Sequence, residues 1–250
     1  MQLRGKQVVI TGGTGGIGNA LTKALRAQHA KVQVLSRDGA GDINADLSTT
    51  AGIAEAGRTI AAINPDILIN LAGISYFGEF ESETSDHVSA MMHVNLMAPL
   101  MLAQAVIPGM KLRKSGVIVN VGSVFGAIPF AYFASYSASK AGMRGLSDAL
   151  RRELEDTGVS VVHVAPRAVR TPLNTPQVME LAKATRMAMD TPEAVAQKIM
   201  EAIIKNTPHT VIGFPEKLFV RLHGLSACMI DGGVRKNNKA AKAILKQTNL

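Results

Sequence analysis

The sequence predicts an α/β fold: a doubly wound parallel sheet with helices on both faces. Three observations predict it. Short apolar runs rich in β-branched residues recur along the chain, amphipathic stretches alternate with them, and a glycine-rich turn follows the first run. With 250 residues the chain is within reach of a single domain of this kind. It is 47% apolar and 18% charged, enough to bury a full core and too apolar for a disordered chain. Aromatic residues amount to only 4% and Trp is absent, so packing rests on aliphatic residues, Ala and Met.

Residues 6–11 (KQVVIT) read as the first buried strand. After the glycine turn, Ile17, Leu21, Ala24, Leu25 and Gln28 trace mainly one helical face. Residues 31–36 (KVQVLS) supply a second strand and close a βαβ unit. Further buried strands fall at 66–70 (DILIN), 116–121 (GVIVNV) and 159–165 (VSVVHVA), with helices over about 83–114 and 135–156. Thr191-Pro192-Glu193 opens another helix, with an N-cap Thr, Pro at the first position and an acid at the positive end. That helix runs to about Asn206, and residues 209–213 suit a last strand. Pro215 starts a terminal helix with Leu218, Leu222, Leu225 and Met229 on one stripe, interrupted at Gly232-Gly233 before a Lys-rich end. No repeat or long linker appears, so residues 1–214 form one body and 215–250 a basic helical extension of it.

The single cysteine, Cys228, cannot form an internal disulfide, which points to a reducing compartment. No Cys/His cluster suggests a metal site, and the first six residues lack a signal-peptide pattern. A cytoplasmic location is expected. Residues 87–110 and 117–139 carry no formal charge, but Asn95, Asn120, Ser123 and Tyr136 within them disfavour a membrane span. The net charge is +8, and seven Lys/Arg less two Asp/Glu put +5 of it after Phe214. A solvated helix surface is the plainer reading of that tail, and peripheral contact with an anionic membrane is the alternative. Nucleic acid is not expected, since the tail has neither a recognisable motif nor a row of stacking aromatics.

The glycine turn, Thr11-Gly-Gly-Thr-Gly-Gly-Ile-Gly18, lies between the first strand and first helix, where an open parallel sheet binds a dinucleotide. Gly12 allows the tight turn, and Gly16 and Gly18 let backbone approach a pyrophosphate and the helix pack closely on the sheet. The helix N-terminus adds N–H donors and positive potential for the phosphates. The second strand ends Leu35-Ser36-Arg37, with Arg37 where an acidic residue would accept from an unmodified ribose. Arg37 can pair instead with a 2′-phosphate, which favours NADP(H) over NAD(H); an Arg that merely faces solvent is the alternative.

Tyr136 and Lys140 stand four apart at the start of a predicted helix, on one face. A free Tyr titrates near pH ~10, and a nearby ammonium stabilises its phenolate. Ser123 lies at the end of a buried strand, and Asn95 sits inside a helix where a polar group needs a partner.

Taken together these motifs resemble a classical short-chain dehydrogenase/reductase over roughly residues 5–205. The resemblance rests on TGGTGGIG, Asp46-Leu47, NLAG at residues 70–73, Asn95, Ser123, the Tyr136/Lys140 pair and a Pro166…Thr171 segment. It implies a single-domain Rossmann fold and hydride exchange between a nicotinamide cofactor and a carbonyl/alcohol pair. Tyr136 would be the acid/base, Lys140 would lower its pKa and hold the nicotinamide ribose, and Ser123 would bond the substrate oxygen. Asn95 would hold a water linking Lys140 to solvent. Gly12, Thr14, Gly15, Gly16, Ile17 and Gly18 would take the phosphates, with Ser36 and Arg37 at the adenosine ribose. Asp46 and Leu47 would meet the adenine, Asn70, Ala72 and Gly73 would run along the cofactor, and Val169 and Thr171 would contact the nicotinamide amide. The resemblance also implies a homo-dimer or tetramer.

Several features depart from the family pattern. The second Asn of the usual NNAG is Leu71, and the usual Pro-Gly is Pro166-Arg167, whose cation could reach a phosphate or an acidic substrate. Residues 37–46 are too short for the usual helix, which opens the adenosine pocket. The helical C-terminal extension resembles members that act on lipophilic carbonyls, and could cover the pocket, meet another subunit or lie on a membrane. Phe130, Tyr132 and Phe133 are candidate walls for an apolar substrate, and residues 172–190, with Met179, Leu181, Met187 and Met189, a lid over it. A non-catalytic nucleotide sensor or scaffold on the same fold is the rival reading.

Overall fold

The computed structural model describes residues 1–226 and 228–248; the side chains of 225, 228–234, 236, 247 and 248 fall outside that description. Seven strands form one parallel sheet: β1 (Gln7–Thr11), β2 (Lys31–Ser36), β3 (Ile43–Asn44), β4 (Ile67–Asn70), β5 (Gly116–Val121), β6 (Val159–Ala165) and β7 (His209–Val211). Their order is β3-β2-β1-β4-β5-β6-β7. The chain direction across the sheet reverses between β1 and β4, and that switch point opens the ligand crevice.

Residues on each strand alternate between two cores, as a doubly covered sheet requires. Val8 and Ile10 pack with Leu21 and Leu25 of α1 (Gly16–Ala27) and Ile199 and Ile203 of α7 (Pro192–Lys205). Val9 faces the other layer, with Ile53 and Ile60 of α2 (Thr50–Ile63) and Leu102 and Val106 of α4 (Ala98–Leu112). Thr49 and Thr191 accept from the amides of Gly52 and Ala194 as N-caps, each contribution about 1 kcal/mol. Asn64 and Asn206 end the same two helices in the left-handed conformation, at φ 50° in each case.

The helix expected over 83–114 is three segments: α3 (Ser85–Met92), a π-helical stretch His93–Met97, and α4. The run Ser85–Leu112 is long and apolar enough to cross a membrane by length and composition. Its α4 part packs on α2 and the sheet. α5 (Ala134–Glu153) follows β5, and α6 (Pro176–Ala184) occupies the middle of the expected lid. No helix separates β2 from β3, in line with the shortened 37–46 region.

The C-terminal extension differs from expectation in one respect. It breaks at Ser226, between α8 (Glu216–Leu225) and α9 (Cys228–Thr248), and α9 runs through Gly232-Gly233 without interruption. Ser226 is extended (φ −161°, ψ 120°) and ends α8, whereas helix propensity at two glycines costs only about 1 kcal/mol each. Ala241 and Ile244 of α9 are buried against Phe130, Phe133 and Leu181, a third core beside the crevice. Of the predicted stripe, the Leu225 and Met229 side chains lie outside the described residues, and Leu218 is exposed.

Candidate active site

The crevice at the carboxyl ends of the strands is a cavity of about 860 Å³ that spans the glycine turn and α5. At one end the backbone is too close-packed for side chains. Gly12 sits at φ +69°, and a Cβ on it would meet Ala72 Cα at 2.7 Å; a Cβ on Gly18 would lie 2.0 Å from the Gly12 carbonyl oxygen. The Thr11 hydroxyl accepts from the Leu71 and Ala72 amides (3.0 and 3.1 Å), pinning the β4 loop to this turn. Gly12, Thr14, Gly15, Gly16, Ile17 and Gly18 all face the cavity, at the N-terminus of α1. This cradle suits a pyrophosphate.

Ser36, Arg37, Asp46 and Leu47 line the next part of the wall, with Ala72, Gly73, Val169 and Thr171 further along. Two Ser48 bonds, Oγ at 2.7 Å and N–H at 2.9 Å, hold the Asp46 carboxyl below its ordinary pKa, so it is ionised at neutral pH. Asn70 is placed differently from expectation. It is buried off the wall, where its amide donates to Asn120 Oδ1 at 2.9 Å, and Asn120 in turn donates to Ser147. It braces β4 against β5 and α5.

Ser123, Tyr136 and Lys140 meet on the wall of the same cavity. Ser123 lies two residues past the end of β5, and its hydroxyl accepts from the Phe125 amide at 3.1 Å. Tyr136 lies in the first turn of α5, its ring edge-on to Phe125 (6.3 Å) and Phe133 (6.4 Å). Lys140, one turn on, is buried; its Nζ donates to Val121 O at 3.2 Å and stands 5.8 Å from the Tyr136 ring centroid. Burial depresses Lys140 to about 8. Burial also raises the Tyr136 phenol, and the Ser123 hydroxyl opposes this by favouring the phenolate. The expected lowering by Lys140 therefore does not prevail in the protein alone. The phenol is held protonated at neutral pH, as a proton donor must be.

Asn95 does not face the cavity. It sits in the π-helical stretch, a widened turn of the kind that recurs at functional sites. Its side chain bonds Ile74 N–H and C=O (2.9 Å each) and donates to Ser139 Oγ at 3.0 Å. Ser139 donates to the Tyr136 carbonyl at 2.8 Å, so Asn95 braces the helix that carries Tyr136 and Lys140.

Arg167 is not available to a phosphate or acidic substrate. It grips Asp190 with two bonds (2.8 and 3.1 Å) and reaches Glu216 of α8 at 3.4 Å, and the Asp190 bond raises its pKa. Of the proposed aromatic walls only Phe133 lines the cavity, while Phe130 and Tyr132 pack behind it. Phe125, Val178, Leu181 and Met187 complete that apolar side, the last three from the expected lid segment. Sequence reasoning missed Phe125, His87, Ala90 and Val94; the last three lie at helical spacing, which gives them one face. Among the described residues no group of three or more His, Cys, Asp and Glu could hold a metal ion.

The short chain dehydrogenase family profile matches residues 6–181, and the chain belongs to that family. It is 31% identical over 231 residues to ketoacyl reductase HetN of Nostoc sp. strain PCC 7120, covering 84% of this chain and 79% of that one. It is 33% identical over 194 residues to mouse dehydrogenase/reductase SDR family member 7B, covering 69% of this chain and 60% of that longer protein. A solved metagenomic short-chain oxidoreductase in complex with NADP superposes at TM-score 0.66 with 30% identity, covering 80% of this chain and 92% of that one. Other structures with this fold are described with NADH. The chain is thus an oxidoreductase of the dehydrogenase/reductase kind.

Proposed function

We propose that the protein is an NADP(H)-dependent oxidoreductase that interconverts a carbonyl and an alcohol on a substrate with an apolar body. The convergence of Tyr136, Ser123 and Lys140 on one cavity, with the glycine cradle at its other end, carries this reading. Bound there, the nicotinamide supplies or accepts the hydride. Tyr136 gives its phenolic proton to the carbonyl oxygen in reduction and takes it back from the alcohol in oxidation. Ser123 hydrogen-bonds the same oxygen, and the Lys140 ammonium holds the nicotinamide ribose and stabilises the phenolate that remains. Phe125, Phe133 and Leu181 exclude water from the reacting carbon.

Arg37 carries the preference for NADP(H). It is exposed on the cavity wall, free to fold over a 2′-phosphate. Calorimetric titration is expected to show tighter binding of NADPH than of NADH. Arg37→Ala should weaken NADPH by about tenfold or more, through loss of a charge-assisted bond, and leave NADH nearly unchanged. Equal losses for both nucleotides would show that Arg37 does not read the phosphate.

The tail supports peripheral contact with an anionic membrane. Phe214 and the α8 residues Leu218 and Phe219 are exposed beside Lys217 and Arg221. Sedimentation with phosphatidylserine vesicles is expected to pull down the protein, and Leu218→Ser/Phe219→Ser to weaken this. Equal recovery with neutral vesicles would remove the electrostatic part of the proposal.

A further inference from the structure

Tyr136 can serve as proton donor only while the first turn of α5 holds its hydroxyl beside Ser123. Yet α5 is not capped by the residue before it, since Phe133 makes no side-chain bond to the helix amides. First-turn N–H groups have no partner inside a helix, so an uncapped first turn is where fraying begins. Two side chains from the segment ahead of α4 fasten it instead. Asn95 donates to Ser139 Oγ at 3.0 Å, one residue before Lys140. Glu83, at the entry to α3, accepts from Ser135 Oγ at 2.6 Å, one residue before Tyr136. Ser135 and Ser139 stand four apart on one helical face, and Tyr136 and Lys140 share the adjacent face, which meets the cavity.

The Glu83 side chain is only 1% exposed, and neither Lys nor Arg pairs with it among the described residues. A carboxylate withdrawn from water is costly unless both oxygens are hydrogen-bonded. Its second oxygen meets His87 Nδ1 at 2.7 Å, so α3 is tied to the same point. A carboxylate at the start of α5 also faces the positive end of that helix. Filling this space alone would call for an apolar side chain. Two directional bonds from a buried group fix position as well.

We infer that Glu83 is a positioning residue: through Ser135 it holds the first turn of α5 so that the Tyr136 hydroxyl stays within hydrogen-bond reach of Ser123. The inference rests on the carbonyl/alcohol reading and adds to it a residue that is not on the cavity wall. The Ser123 hydroxyl is what favours the Tyr136 phenolate against burial. Loss of that bond raises the phenol's pKa, so oxidation, which needs the phenolate as base, falls off at a higher pH. Lys140, the cation on the same wall, stays in place, and lower stability alone leaves the fall-off where it is.

The test follows NADP⁺-dependent oxidation of a homologous series of alkan-2-ols across pH, with thermal denaturation and NADPH calorimetry on each variant. Glu83→Ala is expected to lower kcat about tenfold or more and to leave KM and NADPH affinity within about twofold. It should also move the acid limb of the kcat profile up by about half a pH unit or more. Ser135→Ala, a milder change that suits a helix, should move the limb the same way, and it decides the matter if Glu83→Ala does not fold. Glu83→Gln keeps an acceptor for Ser135 and should restore most of kcat and the wild-type limb. A limb that stays put in both alanine variants overturns the role of Glu83, whatever happens to stability. A Glu83→Gln variant no better than Glu83→Ala does so as well. Failure to bind nucleotide, or turnover that survives Tyr136→Phe, would instead sink the oxidoreductase reading, and the inference with it.

Discussion

Replacing Tyr136 by Phe is expected to lower kcat about a thousandfold or more while NADPH affinity stays within about twofold. The substitution removes the hydroxyl and keeps the ring. The edge-on contacts with Phe125 and Phe133 are therefore preserved, and thermal stability should not fall. Burial already holds the phenol protonated, so the variant loses a proton donor that nothing else on that wall replaces. Lys140 does not replace it, because its buried Nζ donates to the Val121 carbonyl and serves the nicotinamide ribose and the phenolate in the proposed mechanism. The measurement is steady-state reduction of a ketone with calorimetry of NADPH in parallel. Retention of more than a tenth of the wild-type kcat would refute the proton-donor role.

Gly122→Ala is the substitution expected to damage the fold and the site together. A Cβ on Gly122 would lie 2.4 Å from His163 Nε2, well inside contact distance. The His163 ring cannot readily recede: it is buried on β6, and the His209 ring of β7 stands 5.8 Å away. The Gly122 amide is tied to Val164 O at 2.7 Å, so the backbone has little slack, and Ser123 is the next residue. Overpacking of this kind costs about 1–3 kcal/mol. The expected outcome is a lower denaturation midpoint with a reduced kcat. Gly122→Ala with His163→Ala should then be less damaging than the sum of the single changes, by about 1 kcal/mol or more. Strict additivity in the cycle would show that the ring does not limit residue 122.

His163 also gives this pair a pH signature. Burial, first, and the neighbouring His209 lower its pKa from 6.5 to about 4. Between those values the unfolded chain binds a proton that the folded chain refuses, so stability falls as pH drops from about 6.5 toward 4. Denaturation at stepped pH should show this slope in wild type and a shallower one in His163→Ala.

The doubly wound sheet, the crevice at the glycine turn and the gathering of Tyr136, Lys140 and Ser123 on its wall were legible in the sequence, because each leaves a local signature. Buried strands read as β-branched runs, the crevice as glycines at a strand–helix junction, and the proposed catalytic group as residues four apart beside a strand end. Helix α2 was not anticipated: Gly52 and Gly57 dilute its helical pattern, and its apolar residues Ile53, Ala56 and Ile60 show as a stripe only once the sheet is in place. Strand β3, two residues long, is too short to carry a period. The π-helical turn around Asn95 cannot be read from a 3.6-residue pattern, since one extra residue leaves the apolar run intact. Asn70 and Arg167 carried the right chemical types, but their partners lie 50, 23 and 49 residues away, beyond the reach of local spacing. The same distance hid the link from Glu83 to Ser135.

The Arg167 clamp has a consequence for how such a chain can diversify. Most of the cavity wall around the glycine turn comes from residues before 75, whereas Val178, Leu181, Met187 and Glu216 of the same wall all follow residue 166. A crossover near residue 166 would exchange this later part of the wall between chains while leaving the glycine turn, Phe125 and Phe133 in place. The transplant works as a cassette only if Arg167, Asp190 and Glu216 travel together. Splitting them strands two carboxylates in a half-buried niche without their shared cation, and the incoming segment arrives unfastened.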